Sequence, residues 1–270
     1  MAKSLSGAEL AGYIKERQAK QVRALRQAYK IFPKLAILMT PSANNVIGAY
    51  VRGKQVYAND ILIEVVVEVC EQSQMIETIE RYNADDAVQG IIVQLPLDNA
   101  GQTDEIMNTI APQKDVDGLG EQAVYNSATA DAINWLCGGY GVDLQHGRVV
   151  VIGRGRLVGK PLFKMWRNAG YDVTSLDVDT KDNTEILSRA NVIVSAAGVP
   201  RLVTSNNVKQ GATVIDAGTT SENGAVVGDV ADDVRARADV SITPKIGGVG
   251  PLTIALLFDH VIQACQKQVS

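Results

Sequence analysis

Short apolar runs rich in valine and isoleucine alternate along the chain with longer stretches whose apolar residues recur at helical spacing. Such runs are typical of strands buried on both faces of a sheet, and their alternation with helices is typical of parallel β–α–β units. The runs form two series. The first comprises 35–40, 61–70 and 90–95, and the second comprises 148–153, 172–176, 191–195, 212–216 and 239–243. The pattern therefore predicts an α/β protein with two domains.

Helical spacing appears in five stretches of the remaining chain. Helices are predicted at 50–59, 73–82, 131–140, 158–169 and 251–266. We expect a first α/β domain over residues 1–120, completed by a C-terminal helix within 250–270 that packs back on it. A Rossmann-like dinucleotide-binding domain is expected over 121–249. Asn223-Gly224 lies between two extended runs and predicts a hairpin turn.

Composition narrows the class of protein. The 270 residues are 46% hydrophobic and 21% charged, which excludes a disordered chain. Lys and Arg number 26 against 30 acids, so the chain lacks the basic excess that nucleic-acid binding requires. The N-terminus is polar, and no apolar run approaches the roughly 18 residues of a membrane span. We expect a cytoplasmic protein with no membrane or nucleic-acid partner.

Cysteine and histidine are scarce. Cys70, Cys137 and Cys265 are widely separated and lack Cys-x-x-Cys spacing, so we expect reduced thiols that serve in packing. His146 and His260 are the two histidines of the sequence, which excludes a multi-histidine metal centre. We expect no metal site.

A glycine-rich loop follows the first strand of the second series. Gly153, Gly155 and Gly159 join that strand to a helix, where glycine allows the backbone to approach a pyrophosphate. The same glycines could simply close an ordinary βα turn. Asp177 ends the next strand, where an acid binds the ribose hydroxyls of NAD and repels the 2′-phosphate of NADP. We therefore favour NAD, although Arg154 could reach a 2′-phosphate, as could Arg156.

Polar residues interrupt the first series at three places. Tyr50 and Lys54 are four residues apart and share a helical face. Gln94 lies at the carboxyl end of a strand that is otherwise wholly apolar. Parallel sheets bind ligands at that end of their strands. Asp115 and Asp117 lie in a turn just before the junction. Each residue taken singly could be a solvated lysine, a loop-capping glutamine or a turn aspartate, but their placement beside a nucleotide domain favours a site.

These residues belong to segments that together resemble the bifunctional methylenetetrahydrofolate dehydrogenase/methenyltetrahydrofolate cyclohydrolase (FolD) family. The resemblance extends from about Leu35 to Ala264. The segments that carry it are Tyr50-Val-Arg-Gly-Lys54, Val93-Gln-Leu-Pro96, Lys114-Asp-Val-Asp-Gly118, Gly153 to Pro161, Val227-Gly-Asp-Val230 and Gly247-Gly-Val-Gly-Pro-Leu-Thr253.

The resemblance implies an activity and a set of site residues. The enzyme would oxidise 5,10-methylenetetrahydrofolate by hydride transfer to NAD or NADP, and then hydrolyse the methenyl product to 10-formyltetrahydrofolate. The implied catalytic residues are Tyr50, Lys54, Gln94 and Asp117. The implied substrate-binding residues are Tyr50, Pro96, Asp117, Gly247, Gly248, Pro251 and Thr253. The implied cofactor-binding residues are Gly153, Arg154, Gly155, Arg156, Leu157, Asp177, Val178, Ala197, Gly198 and Thr219. A homodimer is also implied.

The chain departs from the family pattern around the cofactor and the junction. Ile47 replaces a serine three residues before the tyrosine, and Ile246 replaces a proline. The stretch 119–130 is shortened, and 176–178 lacks the family's Cys-His-Ser-like segment. A dehydrogenase with weak or absent cyclohydrolase activity therefore stays open. An amino-acid or shikimate-type dehydrogenase and a nucleotide-sensing module stay open as well. Neither histidine lies in an assigned motif, so acid/base chemistry is expected of Lys54.

Overall fold

The computed structural model describes residues 2–43, 45–180, 183–222 and 225–269, and the chain divides into two compact units. The small-sheet unit comprises residues 12–128 and 254–270. The large-sheet unit comprises residues 1–11 and 129–253. The junction near residue 120 remains our prediction from the sequence.

The secondary structure follows the expected alternation. The strands are β1 (Lys3–Ser4), β2 (Lys34–Met39), β3 (Glu64–Val69), β4 (Gly90–Val93), β5 (Val149–Ile152), β6 (Val173–Leu176), β7 (Val192–Ser195), β8 (Thr213–Asp216), β9 (Thr220–Glu222), β10 (Ala225–Val227) and β11 (Ser241–Ile242). The helices are α1 (Gly7–Ala24), α2 (Asn45–Asp60), α3 (Met75–Ala84), α4 (Thr103–Thr109), α5 (Ala128–Gly139), α6 (Gly159–Asn168), α7 (Asn183–Leu187), α8 (Asp232–Arg235) and α9 (Val249–Lys267). A π-helical turn, Leu25–Tyr29, continues α1.

A parallel sheet in the order β3–β2–β4 forms the centre of the small-sheet unit. The middle strand, β2, is buried from Leu35 to Leu38, as expected for a strand covered on both faces. Leu257, Phe258 and Val261 of α9 belong to the same hydrophobic core as Leu35. The predicted packing of the last helix on the first domain is thereby confirmed.

The large-sheet unit contains a second parallel sheet in the order β6–β5–β7–β8–β11–β1. β5 pairs with β6 on one side and with β7 on the other. The chain therefore reverses its direction across the sheet at β5, and α/β proteins bind ligands beyond the carboxyl ends of the strands at such a switch point. The Rossmann-like architecture expected from the sequence is confirmed.

Some elements differ from the prediction. The helix α1 was not predicted, although Ile14, Gln18, Val22 and Leu25 are buried at helical spacing. β3 begins at Glu64 and not at 61, because the chain turns through Leu62 at φ 63°.

Other expectations concern the hairpin and the thiols. β9 and β10 pair antiparallel, as a hairpin requires. The predicted turn residues, Asn223 and Gly224, lie outside the described residues. The three cysteines are free, as expected. Among the described residues, no helix is long and apolar enough to cross a membrane.

Candidate active site

Lys54 and Gln94 come together at the carboxyl end of the small sheet. Gln94 directly follows β4, and its backbone N–H donates to the carbonyl of Leu38 at 2.8 Å, which continues the sheet pairing. Lys54 lies on α2. Its Nζ donates to Gln94 Oε1 at 2.9 Å. The amide oxygen thus fixes the position of the ammonium group, and both residues are half-buried.

Asp117 supplies the negative charge of this cluster. It lies in a turn shaped by Asp115, whose carboxylate accepts the N–H groups of Gly118, Leu119 and Gly120 at 3.0, 3.0 and 2.7 Å. Burial lowers the pKa of Lys54, and the charge of Asp117 opposes this shift. Burial likewise raises the pKa of Asp117, and the charge of Lys54 opposes that shift. The two groups therefore stabilise each other's charged forms in a site that disfavours both.

Tyr50 lies one turn before Lys54 on α2, as the spacing predicted. The residue is 37% exposed, so part of its surface remains available to a ligand. Burial of the remainder raises the pKa of the phenol, which therefore stays protonated at neutral pH. Pro96 is exposed two residues after Gln94. Tyr50, Lys54, Gln94 and Asp117 all belong to the small-sheet unit.

His260 belongs to none of the motifs predicted from the sequence, yet it contacts the turn that contains Asp117. The ring is 3% exposed, and its Nδ1 lies 2.8 Å from the carbonyl oxygen of Val116, the residue before Asp117. Tyr125 stacks on it with centroids 4.8 Å apart. The helical spacing of α9 could have shown that His260 faces the core, but no local signal identified its partners.

The glycine segment implied for folate binding lies in the large-sheet unit. Gly247 adopts φ 82°, a conformation that favours glycine, and its carbonyl accepts the N–H of Ala8 at 3.0 Å. Gly248 packs so closely on Gly7 that a Cβ on Gly7 would lie 2.0 Å from the Gly248 carbonyl oxygen. Pro251 and Thr253 follow in the first turns of α9, and Thr253 Oγ1 donates to the Val249 carbonyl at 3.3 Å.

The nucleotide loop has the geometry that its glycines predicted. Gly153 leaves β5 at φ 97°, and a Cβ there would lie 2.4 Å from the carbonyl oxygen of Ala196, which follows β7. A Cβ on Gly159, the first residue of α6, would lie 1.9 Å from the carbonyl oxygen of Gly153. Only glycine fits at both places. The exposed Gly155 and the start of α6 form the cradle that a pyrophosphate requires, so these residues fit a dinucleotide.

Asp229 organises the facing loop after β7. This fully buried carboxylate accepts Ser195 Oγ at 2.7 Å and the Ala197 N–H at 2.8 Å through the same oxygen. Gly198 follows at φ 67°, and its carbonyl accepts Thr220 Oγ1 at 2.6 Å. Thr219, which was expected at the cofactor, is exposed beside this contact. The role of Asp229 could not be read from its position in Val227–Val230.

An acidic and a basic residue lie near the carboxyl end of β6, the second strand of the nucleotide-binding fold. Asp177 directly follows β6, and its carboxylate accepts the Val178 N–H at 2.8 Å. Nearby, the Arg154 guanidinium donates to the Ser175 carbonyl at 3.4 Å. An open pocket of about 640 Å³ adjoins this contact. Its lining residues are Arg154, Lys160, Phe163, Arg167, Val173, Thr174 and Ser175.

The other expected cofactor residues lie near this end of the sheet. Arg156 is half-buried, whereas Leu157 and Val178 are partly exposed. The large-sheet unit therefore contains the whole set of residues expected to bind the cofactor, on the loops that follow β5, β6, β7 and β8.

Comparison with known proteins identifies the family. Residues 5–117 match the model of the tetrahydrofolate dehydrogenase/cyclohydrolase catalytic domain, and residues 127–269 match the model of its NAD(P)-binding domain. The bifunctional protein FolD of Wolbachia strain wRi is 36% identical in an alignment of length 281 that covers 98% of this chain and 96% of that protein.

Solved structures agree with these matches. The FolD enzyme of Campylobacter jejuni superposes with a TM-score of 0.92 at 31% identity, covering 99% of this chain and 100% of that one. FolD of Trypanosoma brucei, solved with NADP and an inhibitor, gives a TM-score of 0.92 at 30% identity, covering 99% and 98%. With both domains matched in order, the chain belongs to the tetrahydrofolate dehydrogenase/cyclohydrolase family.

Proposed function

We propose that this enzyme oxidises 5,10-methylenetetrahydrofolate to the methenyl form with NAD(P), and then hydrolyses that product to 10-formyltetrahydrofolate. The observation that carries the proposal is the contact between Lys54 Nζ and Gln94 Oε1 at 2.9 Å, at a site where the charge of Asp117 favours the lysine's charged form. Dehydrogenases of the amino-acid or shikimate type have no evident need for this combination of residues.

In the oxidation, the protein's task is to position the folate. The Tyr50 ring, exposed one turn from Lys54, stacks on an aromatic part of the substrate, and such contacts contribute about 0.5–1.5 kcal/mol beyond burial of area. The Asp117 carboxylate accepts hydrogen bonds from the N–H groups of the pterin. Bound NAD(P) supplies the hydride acceptor. No protein base is required, because the neighbouring nitrogens of the substrate stabilise the cation left on the methylene carbon.

In the hydrolysis, Lys54 carries protons. Water adds to the methenyl carbon and loses one proton, which leaves a hydroxyl group on that carbon. The bond from the carbon to one nitrogen then breaks as that nitrogen gains a proton and the hydroxyl loses its own to become the formyl oxygen, so one proton is released overall. A group that gains and loses a proton near neutral pH serves both transfers. Burial lowers the pKa of Lys54 toward that range. Gln94 orients Nζ by accepting one of its hydrogens.

For the cofactor, we propose a preference for NAD over NADP. Asp177 directly follows β6, where a carboxylate binds ribose hydroxyls and repels a 2′-phosphate. Arg154 and its pocket offer the contrary possibility, since a guanidinium could bind that phosphate. The Asp177→Ser variant decides between them. Its ratio of kcat/KM for NADP over NAD should rise about tenfold or more if the carboxylate is the determinant, whereas Asp179→Ser should leave the ratio unchanged.

We further propose that the protein is cytoplasmic and forms a homodimer. Free cysteines suit a reducing compartment. The dimer is carried over from the family, and analytical ultracentrifugation tests it directly: a single species of monomer mass would contradict the proposal.

The deciding assay for the activity follows methylenetetrahydrofolate oxidation with NAD and with NADP separately, and records the accumulation and decay of the methenyl absorbance. Wild-type enzyme should form and then consume the methenyl product. Lys54→Ala should abolish its consumption while keeping some of its formation. The control is Lys20→Ala, which alters an exposed lysine of the same unit. A full rate of hydrolysis in Lys54→Ala would refute the role of Lys54.

A second candidate, a dehydrogenase with weak cyclohydrolase activity, rests on Ile47. This side chain lies on α2 one turn before Tyr50 and is 8% exposed, so an apolar group occupies the position at which the family carries a hydroxyl. A hydroxyl there could order the attacking water. Slow decay of the methenyl absorbance in the wild-type enzyme would favour this candidate.

A further inference from the structure

His260 is held in one orientation by a contact next to the proposed folate-binding turn. Its Nδ1 lies 2.8 Å from the Val116 carbonyl oxygen, and the ring is 3% exposed. A carbonyl oxygen can only accept, so Nδ1 must carry the hydrogen.

The surroundings of the ring restrict its motion further. Tyr125, itself 7% exposed, stacks on His260 at an interplanar angle of 20°. The Lys267 ammonium lies 4.9 Å from the centroid of the Tyr125 ring. Tyr125 comes from the shortened stretch 119–130, so this chain's departure from the family pattern supplies one wall of the histidine site.

Because the Val116 carbonyl belongs to the peptide that precedes Asp117, its hydrogen bond to His260 fixes the backbone from which the carboxylate projects. We propose that His260 is a positioning residue for Asp117 and that it acts by orienting the peptide that precedes the carboxylate. The inference rests on the proposed folate-binding role of Asp117.

His260 also affects Asp117 through its charge. The charge of His260 lowers the pKa of Asp117, in the same direction as the charge of Lys54 and against the effect of burial. The titratable groups around this cluster are Lys54 on α2, Asp115 in the turn, Tyr125 before α5, and Cys265 and Lys267 on α9. Removing the histidine charge should therefore raise the pH at which Asp117 ionises.

Two substitutions separate the hydrogen bond from the charge. His260→Leu fills a similar volume and removes both. His260→Asn keeps a donor at the position of Nδ1 but cannot be protonated. His260→Leu should raise KM for methylenetetrahydrofolate about tenfold, the effect of one lost buried hydrogen bond, with a smaller change in kcat. His260→Asn should restore KM to within about threefold, yet the acid limb of its kcat/KM profile should move to higher pH.

The controls distinguish this inference from the proposed function. His146→Asn alters the exposed histidine of the large-sheet unit, which pairs with Asp143 at 3.1 Å, and should behave as wild type. Asp117→Asn should raise KM strongly. If it does while both His260 variants keep the wild-type KM and pH profile, the inference fails and the proposed function stands. An unaffected Asp117→Asn overturns the role of Asp117 and the inference together.

Discussion

Replacing Gly159 by alanine tests whether the nucleotide loop depends on the close approach of α6 to β5. The new Cβ would lie 1.9 Å from the Gly153 carbonyl oxygen and 2.7 Å from its carbon. Real Cβ atoms essentially never come within 3.0 Å of another heavy atom, so the helix start must retreat by about 1 Å. Both contacts are with backbone, so no rotamer change relieves them.

Overpacking of this kind typically costs about 1–3 kcal/mol, and the backbone contact places Gly159→Ala near the upper end of that range. For a unit of this size, we expect Tm to fall by about 5–10 °C. The start of α6 also forms the pyrophosphate cradle, so KM for the dinucleotide should rise about tenfold.

Differential scanning calorimetry and steady-state kinetics measure the two effects. Gly138→Ala is the matched control, because it adds the same methyl group to a helix of the same unit with no atom within 4 Å. Its Tm should stay constant or rise slightly, since alanine favours helix. A Gly159→Ala enzyme with wild-type Tm and wild-type KM would refute the steric reasoning.

Three further predictions concern the small-sheet unit. Gln94→Glu places a carboxylate beside Lys54 Nζ, and this negative charge should raise the pKa of Lys54. The limb of the cyclohydrolase pH profile that is due to Lys54 should therefore move to higher pH. An unmoved limb would exclude Lys54 as the titrating group. Lys114→Met removes an ammonium that donates to three carbonyls at the end of α3, at 3.0, 2.9 and 2.7 Å. We expect a loss of about 2–3 kcal/mol in urea unfolding, against about 0.5 kcal/mol or less for the exposed Lys20→Met. Ile47→Ser should increase the ratio of cyclohydrolase to dehydrogenase rates, measured on one preparation, and an unchanged ratio would show that a hydroxyl there has no part in hydrolysis.

Much of the fold could be predicted because its signals are local. The buried runs of β2 and β5 appear directly as apolar sequence, since strands covered on both faces require apolar side chains at every position. The spacing of Tyr50 and Lys54 required a shared helical face, and α2 provides it. Glycine in the nucleotide loop is likewise local, because a positive φ or a missing Cβ restricts the residue itself.

Helix α1 was not predicted from the local sequence pattern. Its buried positions, from Ile14 to Leu25, have helical spacing but alternate with many charged and polar residues. An amphipathic surface helix presents only a narrow apolar stripe, so its signal is weaker than that of a buried strand. His260 could not be placed from its sequence position either, because residues far apart along the chain can lie side by side in the folded unit, as His260 and Val116 do.

The sequence by itself determined the α/β alternation, the nucleotide loop and the residue types of the candidate site. Only the tertiary structure decided which of these side chains meet. Lys54 reaches Gln94 across 40 residues of chain, and His260 reaches Val116 across 144. Periodicity and steric restriction act within a few residues, whereas these contacts depend on how every helix and strand of the unit packs. No local pattern encodes a pairing of that kind.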